Sequence, residues 1–413
     1  MITIKPFRGL RPSARLADKV ASPPYDVLSS QEAREMAAEN PISFLHINKP
    51  EIDLPKDTDP YSELVYNTGR DNLQKFIADG TLIQDEKESI YIYRQIWKDH
   101  TQTGYFCLSS VEDYDAGRVK KHEFTRPQKE ADRTKLIDTM NAQVGPVFLL
   151  YKDNLLLDNL LEELTQSDPL VDFTSPDEVT HQLWIVDNPQ KLDEIVKAFA
   201  TLQATYIADG HHRSASASNV CKIRKEKNPS HTGNEPYNYF LSVIFPKNQL
   251  MILPYNRVVT DLNGHSKDDF LAKISDKFDV AESDQEIEII DAHMFGMYLD
   301  GSWYQLSPRT GSYNAGDLLE GLDVNILMKN LLEPILGIGN PRTDPRIDFV
   351  GGIRGNRELK KLVDSGKYTV AFALYPTSVE ALVRVADAGE VMPPKSTWFE
   401  PKLRSGMVSY LLG

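Results

Sequence analysis

The sequence predicts an α/β fold built on a mixed sheet, with a small α+β subdomain inserted in its C-terminal half. Three observations predict it. Short runs rich in β-branched and aromatic residues, at 90–93, 104–108, 147–151, 181–186, 205–208 and 237–245, alternate with amphipathic stretches long enough for helices, the signature of a layered sheet-and-helix core. One strand end runs through Asp209-Gly210 into a tract of small residues, Ser214-Ala215-Ser216-Ala217-Ser218, as expected of a helix packed close to a sheet. The chain has 413 residues, 41% hydrophobic and 26% charged, which suits a folded protein of two or three compact parts. The expected organisation is a main α/β region over 1–260, a small α+β subdomain over 261–320, and a segment over 321–413 that returns to the main region.

The elements follow in order. Residues 2–28 hold short β-like pieces punctuated by Arg8-Gly9-Leu10-Arg11-Pro12 and Ser22-Pro23-Pro24-Tyr25-Asp26. Ser29 or Ser30 with Glu32 opens a helix to about residue 39, where Asn40-Pro41 stops it. Residues 59–77 place Tyr61, Leu64, Val65, Leu73 and Phe76 near helical spacing, and Asp79-Gly80 closes that helix. Runs 90–93 and 104–108 read as a hairpin. Thr125 and Gln128 form a capping box, with Pro127 in the first turn, for a helix to about residue 143. Strand 147–151, helix 155–166, strand 181–186, helix 189–199 and strand 205–208 follow, then a buried strand at 237–245. In the expected subdomain, Ser266 caps a helix over 266–278, followed by strands at 286–290, 294–298 and 303–306. Beyond it lie a helix at 324–331, a loop at 341–352, a helix at 358–363, a strand at 368–375 and a helix at 378–388.

Composition excludes several classes. With 60 acidic against 46 basic residues the net charge is -14, a poor basis for a duplex-binding surface. Cys107 and Cys221 are far apart, so neither a Cys-x-x-Cys zinc site nor a disulfide framework is supported. No window approaches the ~20 apolar residues of a membrane span, and no signal-peptide pattern opens the chain. The expectation is a cytoplasmic protein acting on a small molecule, with neither nucleic acid nor membrane as partner; a homodimer is compatible with it.

Two segments carry chemistry. In Tyr206-Ile207-Ala208-Asp209-Gly210-His211-His212-Arg213, Gly210 permits a tight turn. The first N–H groups of the helix that follows lack intrahelical partners. Arg213 offers a planar fork for phosphate or carboxylate, and His211 and His212 offer imidazoles. In residues 112–133, His122 and Glu123 precede a helix that carries Lys129, Asp132 and Arg133 on one face. Cations for phosphate oxygens and a base for an attacking hydroxyl are what phosphoryl transfer requires. A solvated, ion-paired helix is the competing reading of that run. A third stretch, Met392-Pro393-Pro394-Lys395-Ser396-Thr397-Trp398-Phe399-Glu400-Pro401-Lys402, has a lysine before two hydroxyls able to hold an anion but lacks the upstream glycines of a P-loop; it can also be a tail that docks Trp398 and Phe399 into the core.

Pro23-Pro24-Tyr25-Asp26-Val27, His122-Glu123 with Lys129-Glu130-x-Asp132-Arg133, Ala208-Asp209-Gly210-His211-His212-Arg213 and Met392-Pro393-Pro394-Lys395-Ser396-Thr397 together resemble the signature of one bacterial family of unknown function. The Asp-Gly-His-His-Arg turn also resembles the phosphate turn of the ParB/sulfiredoxin-like superfamily, which includes kinases of free serine. The resemblance implies a ParB/sulfiredoxin-like core with large additions. It implies that Asp209, Gly210, His211, His212 and Arg213 cradle phosphate, and that serine and O-phosphoserine are interconverted with ATP, ADP or pyrophosphate as donor. Within that reading Glu123 is the candidate base with His122 in support, Lys129, Arg133, Arg213, Lys395, Ser396 and Thr397 are candidate phosphate ligands, and Asp132 or Asp209 would hold Mg2+. One departure is Ser214 after Arg213, where an aromatic is common. Two other classes stand beside it: a metal-dependent phosphatase with His211 and His212 as ligands, and a non-catalytic nucleotide-binding regulator.

Overall fold

The computed structural model describes residues 1–413. They form two compact units, one of Met1–Leu250 with Pro401–Gly413 and one of Met251–Glu400. Three helices of the first unit matter most: α1 (Ser30–Ala37), α2 (Glu63–Ala78) and α3 (Pro127–Met140). Ser29 caps α1 through a capping box with Glu32, as its sequence predicts. Thr125 does not cap α3: Arg126 is the N-cap residue, Pro127 opens the helix, and the Thr125 hydroxyl instead donates to Glu130 at 2.6 Å.

The sheet of the first unit has nine strands: β1 (Ile4–Lys5), β2 (Ile90–Trp97), β3 (His100–Ser110), β4 (Val119–Lys120), β5 (Val147–Tyr151), β6 (Val171–Thr174), β7 (Val179–Val186), β8 (Thr205–Asp209) and β9 (Tyr239–Pro246). Their order is β4-β8-β5-β9-β3-β2-β7-β6, with β1 on β3. The sheet is mixed: β5 runs parallel to β9 and β4 parallel to β8, while the remaining pairs are antiparallel. The expected mixed α/β class is therefore met. The hairpin β2–β3 runs further than its apolar core suggests, because Arg94↔Thr103 and Gln95↔Gln102 continue the ladder. Helices α4 (Leu155–Leu164), α5 (Pro189–Ala200) and α6 (His211–Lys227) contribute Leu157, Leu160, Ile195, Phe199, Ala215 and Ala217 to one core with Ile92, Tyr105, Leu149 and Ile207. No helix is long and apolar enough to cross a membrane.

His181 lies fully inside this unit, its Nδ1 2.7 Å from the Tyr93 hydroxyl and its Nε2 3.0 Å from that of Ser175. Burial, then the Arg404 charge, pushes its pKa down to about 3. The unfolded chain protonates this residue near its ordinary ~6.5, so between those values the unfolded state binds the extra proton. Stability from neutral His181 is thus complete above ~6.5 and is lost as pH falls toward 3, at about 1.4 kcal/mol per pH unit. His181→Gln should flatten the fall of urea-derived stability between pH 6.5 and 4.5 by that slope; an unchanged slope would contradict the burial argument.

The second unit holds β10 (Met251–Leu253), β11 (Tyr255–Val259), β12 (Phe278–Ser283), β13 (Phe295–Leu299), β14 (Ser302–Pro308), β15 (Ile347–Gly351), β16 (Val370–Ala373) and β17 (Trp398–Glu400), with helices α7 (Lys267–Ile274), α8 (Asp323–Leu327), α9 (Gly355–Asp364) and α10 (Val379–Asp387). Its six-stranded sheet has the order β12-β14-β13-β16-β11-β15. Strand β16 lies between β11 and β13, so residues 321–400 belong with 251–320, and only 401–413 return to the first unit. The boundaries at 260 and 320 move accordingly. Two elements also differ from expectation. Helix α7 ends at Ile274 and Phe278 starts β12, while 286–290 forms no strand. The expected loop at 341–352 contains β15, which pairs with β11 through Tyr255↔Gly351 and Val259↔Ile347.

Candidate active site

The strand-to-helix turn at the end of β8 is built as its sequence implies. Gly210 sits at the N-cap of α6 with φ 94° and ψ 28°, a left-handed conformation that glycine adopts without cost. A Cβ there would lie 3.4 Å from the Val147 Cα. The Gly210 carbonyl accepts from the Arg213 N–H at 2.9 Å and from the Ser214 N–H at 3.1 Å, so the N–H groups of His211 and His212 precede the helical ladder and project from its positive end. Small residues hold α6 close to its neighbours: the Ser216 hydroxyl donates to the Glu130 carbonyl of α3 at 3.0 Å, and that of Ser218 to Asp115 at 2.6 Å. Gly210→Ala should lower stability by about 1–2 kcal/mol through the left-handed strain, read from the denaturation midpoint; an unchanged midpoint would mean that the turn can relax.

Three cations and three carboxylates surround this turn. Asp209 accepts from Lys402 at 2.8 Å and from the Gly210 N–H at 2.7 Å. Burial raises its pKa, but Lys402, Arg213 and these hydrogen bonds outweigh it, and the carboxyl is held well below the usual range. Arg213 donates to the Pro146 carbonyl at 2.8 Å and to Asp26 at 3.1 and 3.3 Å, fastening the Pro-Pro-Tyr-Asp turn to α6. Arg133 pairs with Asp132 at 2.7 Å. Both guanidinium groups lie on the Tyr25 ring, at 4.2 Å for Arg133 and 5.4 Å for Arg213. Burial, then Asp26, pushes the Tyr25 hydroxyl up to about 12. Tyr25, Arg133 and Arg213 also line a small cavity together with Asn48, Gln143 and the apolar Leu136, Ile137, Met140, Val144 and Val147.

A second cluster adjoins the turn. The rings of His122 and His211 meet edge to face at 4.5 Å, and the backbone N–H of His122 reaches the His211 Nε2 at 3.4 Å. Glu123 joins them: one nitrogen of each histidine and a Glu123 carboxylate oxygen all lie within 4.8 Å of one another. Both histidines are buried and Glu123 is half-buried. Burial drives His122 down to about 4 and His211 well below its ordinary value, so both imidazoles are neutral at pH 7.

Residues 4–325 match the DUF1015 family, described as a protein of unknown function. The chain belongs to that family. No curated protein matches this DUF1015 sequence. Among solved structures, a free serine kinase in complex with AMP is similar at 11% identity and a TM-score of 0.35, over 71% of this chain and 86% of the other. A conserved hypothetical protein from Pyrococcus furiosus is similar at 12% identity and a TM-score of 0.32, over 71% and 90%. SbnI from Staphylococcus aureus, with a C-terminal truncation, stands at 11% and 0.30, over 72% and 84%.

The fold of this DUF1015 protein brings His122, Glu123 and His211 together, and Asp209, Arg213 and Lys402. His212 accepts the Arg126 N–H at 2.9 Å. Asp132 accepts from Arg133 and from the Tyr66 hydroxyl at 3.0 Å. Asp132 and Asp209 are thus both engaged by cations, an arrangement that does not suit them as Mg2+ ligands. Lys129 is exposed, its ammonium 5.6 Å from the Tyr61 ring. Lys395, Ser396 and Thr397 belong to the second unit. There the Lys395 ammonium lies 5.4 Å from the Tyr255 ring, the Ser396 hydroxyl donates to the Pro393 carbonyl, and the Ser396 carbonyl accepts from the Thr377 hydroxyl. Lys402 closes the third stretch but was given no role from sequence. It sits only seven positions beyond Lys395, yet its partner Asp209 is 193 residues away.

Proposed function

We propose that this protein transfers a phosphoryl group between a phosphoanhydride and the hydroxyl of a small metabolite, with free serine as acceptor. The observation that carries the reading is the meeting of His122 and Glu123 with the opening of α6 at His211. The N–H groups of His211 and His212 and the Arg213 fork would take the phosphoryl oxygens. In the forward direction the serine oxygen attacks the terminal phosphorus of the donor. The bond from that phosphorus to the bridging oxygen breaks, the electron pair leaves on the departing phosphate or nucleotide, and the hydroxyl proton passes to Glu123. Lys402 keeps Asp209 charged and oriented at the turn. Serine as acceptor, and ATP, ADP or pyrophosphate as donor, follow from the resemblance of the Asp209–Arg213 turn to that of the free-serine kinases.

The test is direct. Pure protein incubated with serine, Mg2+ and each of the three donors in turn should form O-phosphoserine with at least one, read by 31P NMR; none with any donor would end the serine reading. A second reading, metal-dependent phosphate-ester hydrolysis, is favoured by the His122–Glu123–His211 cluster, not by a His211–His212 pair. It predicts phosphate release from O-phosphoserine without any phosphate acceptor other than water.

A further inference from the structure

We propose that His122, Glu123 and His211 bind one divalent transition-metal ion, of the zinc class, at the opening of α6. The inference stands on ligand geometry and does not rest on phosphoryl transfer. Two imidazole nitrogens and a carboxylate oxygen within 4.8 Å of one another need only small rotations to reach the about 3.4 Å separation of donors on a tetrahedral ion with bonds of ~2.1 Å. The bond from the backbone N–H of His122 to the His211 Nε2 is 3.4 Å long, outside the range of a strong hydrogen bond and readily given up. Imidazole ligands select zinc, copper, iron or nickel over Mg2+, which prefers oxygen.

The electrostatics are consistent with this. A dication at a helix N-terminus opposes the dipole, but Glu123 supplies one negative charge in the cluster and Asp209 acts on both histidines from nearby. The nearby cations Lys402, Arg213 and Arg133 are each paired with a carboxylate. An ion held by a single carboxylate therefore adds net positive charge beside the turn. Three protein ligands leave a coordination position for water or an anionic oxygen. Glu123 has a second oxygen with which to accept a proton.

Chelator-treated full-length protein, returned to chelator-free buffer, would be titrated with Co2+ and followed by calorimetry and visible absorption. About one Co2+ per chain is expected, with tetrahedral d–d bands that Zn2+ abolishes and an about hundredfold excess of Mg2+ does not. Glu123→Gln, a near-isosteric change at a half-buried site, and His211→Ala should each weaken Co2+ by about tenfold or more, while His265→Ala, in the second unit, should not. Circular dichroism checks that each variant is folded. Absent Co2+ binding in the unaltered protein, or equal affinity in the folded Glu123→Gln variant, overturns the proposal. Pyrophosphate binding measured alongside separates the two claims: anion bound without cobalt sinks the metal site alone, and cobalt bound without anion sinks the phosphate turn alone.

Discussion

Glu123→Gln is expected to lower kcat for phosphoryl transfer by about 10²–10⁴-fold, with a much smaller change in KM for serine. The substitution keeps the size and shape of a half-buried side chain beside two buried neutral histidines and removes only its charge and basicity. Burial holds the pKa values of His122 and His211 below the ordinary imidazole range, which weakens both as replacement bases. A shorter carboxylate, Glu123→Asp, should recover part of the rate, since the proton acceptor returns but about 1 Å out of place. A kcat within about threefold of the unaltered enzyme in the glutamine variant would remove Glu123 from the chemistry.

Arg213→Ala is expected to weaken pyrophosphate binding by about 10–100-fold, the loss of one charge-assisted hydrogen-bonding group. The same change removes the bonds that join α6 to the Pro146 carbonyl and to Asp26, and it takes one of two cations away from Asp209. A drop in stability should therefore accompany the drop in affinity. Arg213→Lys separates the two: it restores charge near Asp26 and Asp209 but not the fork, so stability should recover more than affinity. Calorimetry with pyrophosphate and urea unfolding read both. Equal affinity in Arg213→Ala would place the anion elsewhere.

The turn at the heart of the site was legible because its signals are local: a strand end, a glycine where φ must be positive, and small residues where a helix packs closely. The run of strands in the first unit was legible for the same reason, each being a compact β-branched or aromatic run. Their order in the sheet was not, since β5 beside β9 pairs residues about a hundred positions apart. Strand β15 hid behind Pro341, Asp344 and the glycines at 351 and 352; what makes it a strand is its partner β11, and β propensity is set largely by neighbours. Phe278 extended the apparent helix because it falls four residues after Ile274, yet both are fully buried on different elements. The charged run at 129–133 was legible as a helix face but not in its pairing: Asp132 turns to Arg133 and Tyr66, while Glu123 joins two histidines from opposite ends of an 89-residue separation. Lys395 stood out beside two prolines and two hydroxyls, whereas Lys402, in an unremarkable context, is the lysine that meets Asp209.

The most direct test is a crystal of the protein grown with pyrophosphate, with the phosphorus positions taken from difference density. A phosphate group within hydrogen-bonding distance of the His211 and His212 N–H groups and the Arg213 guanidinium is the expected result. Pyrophosphate bound with high occupancy away from the opening of α6, with that end of the helix empty, would contradict it.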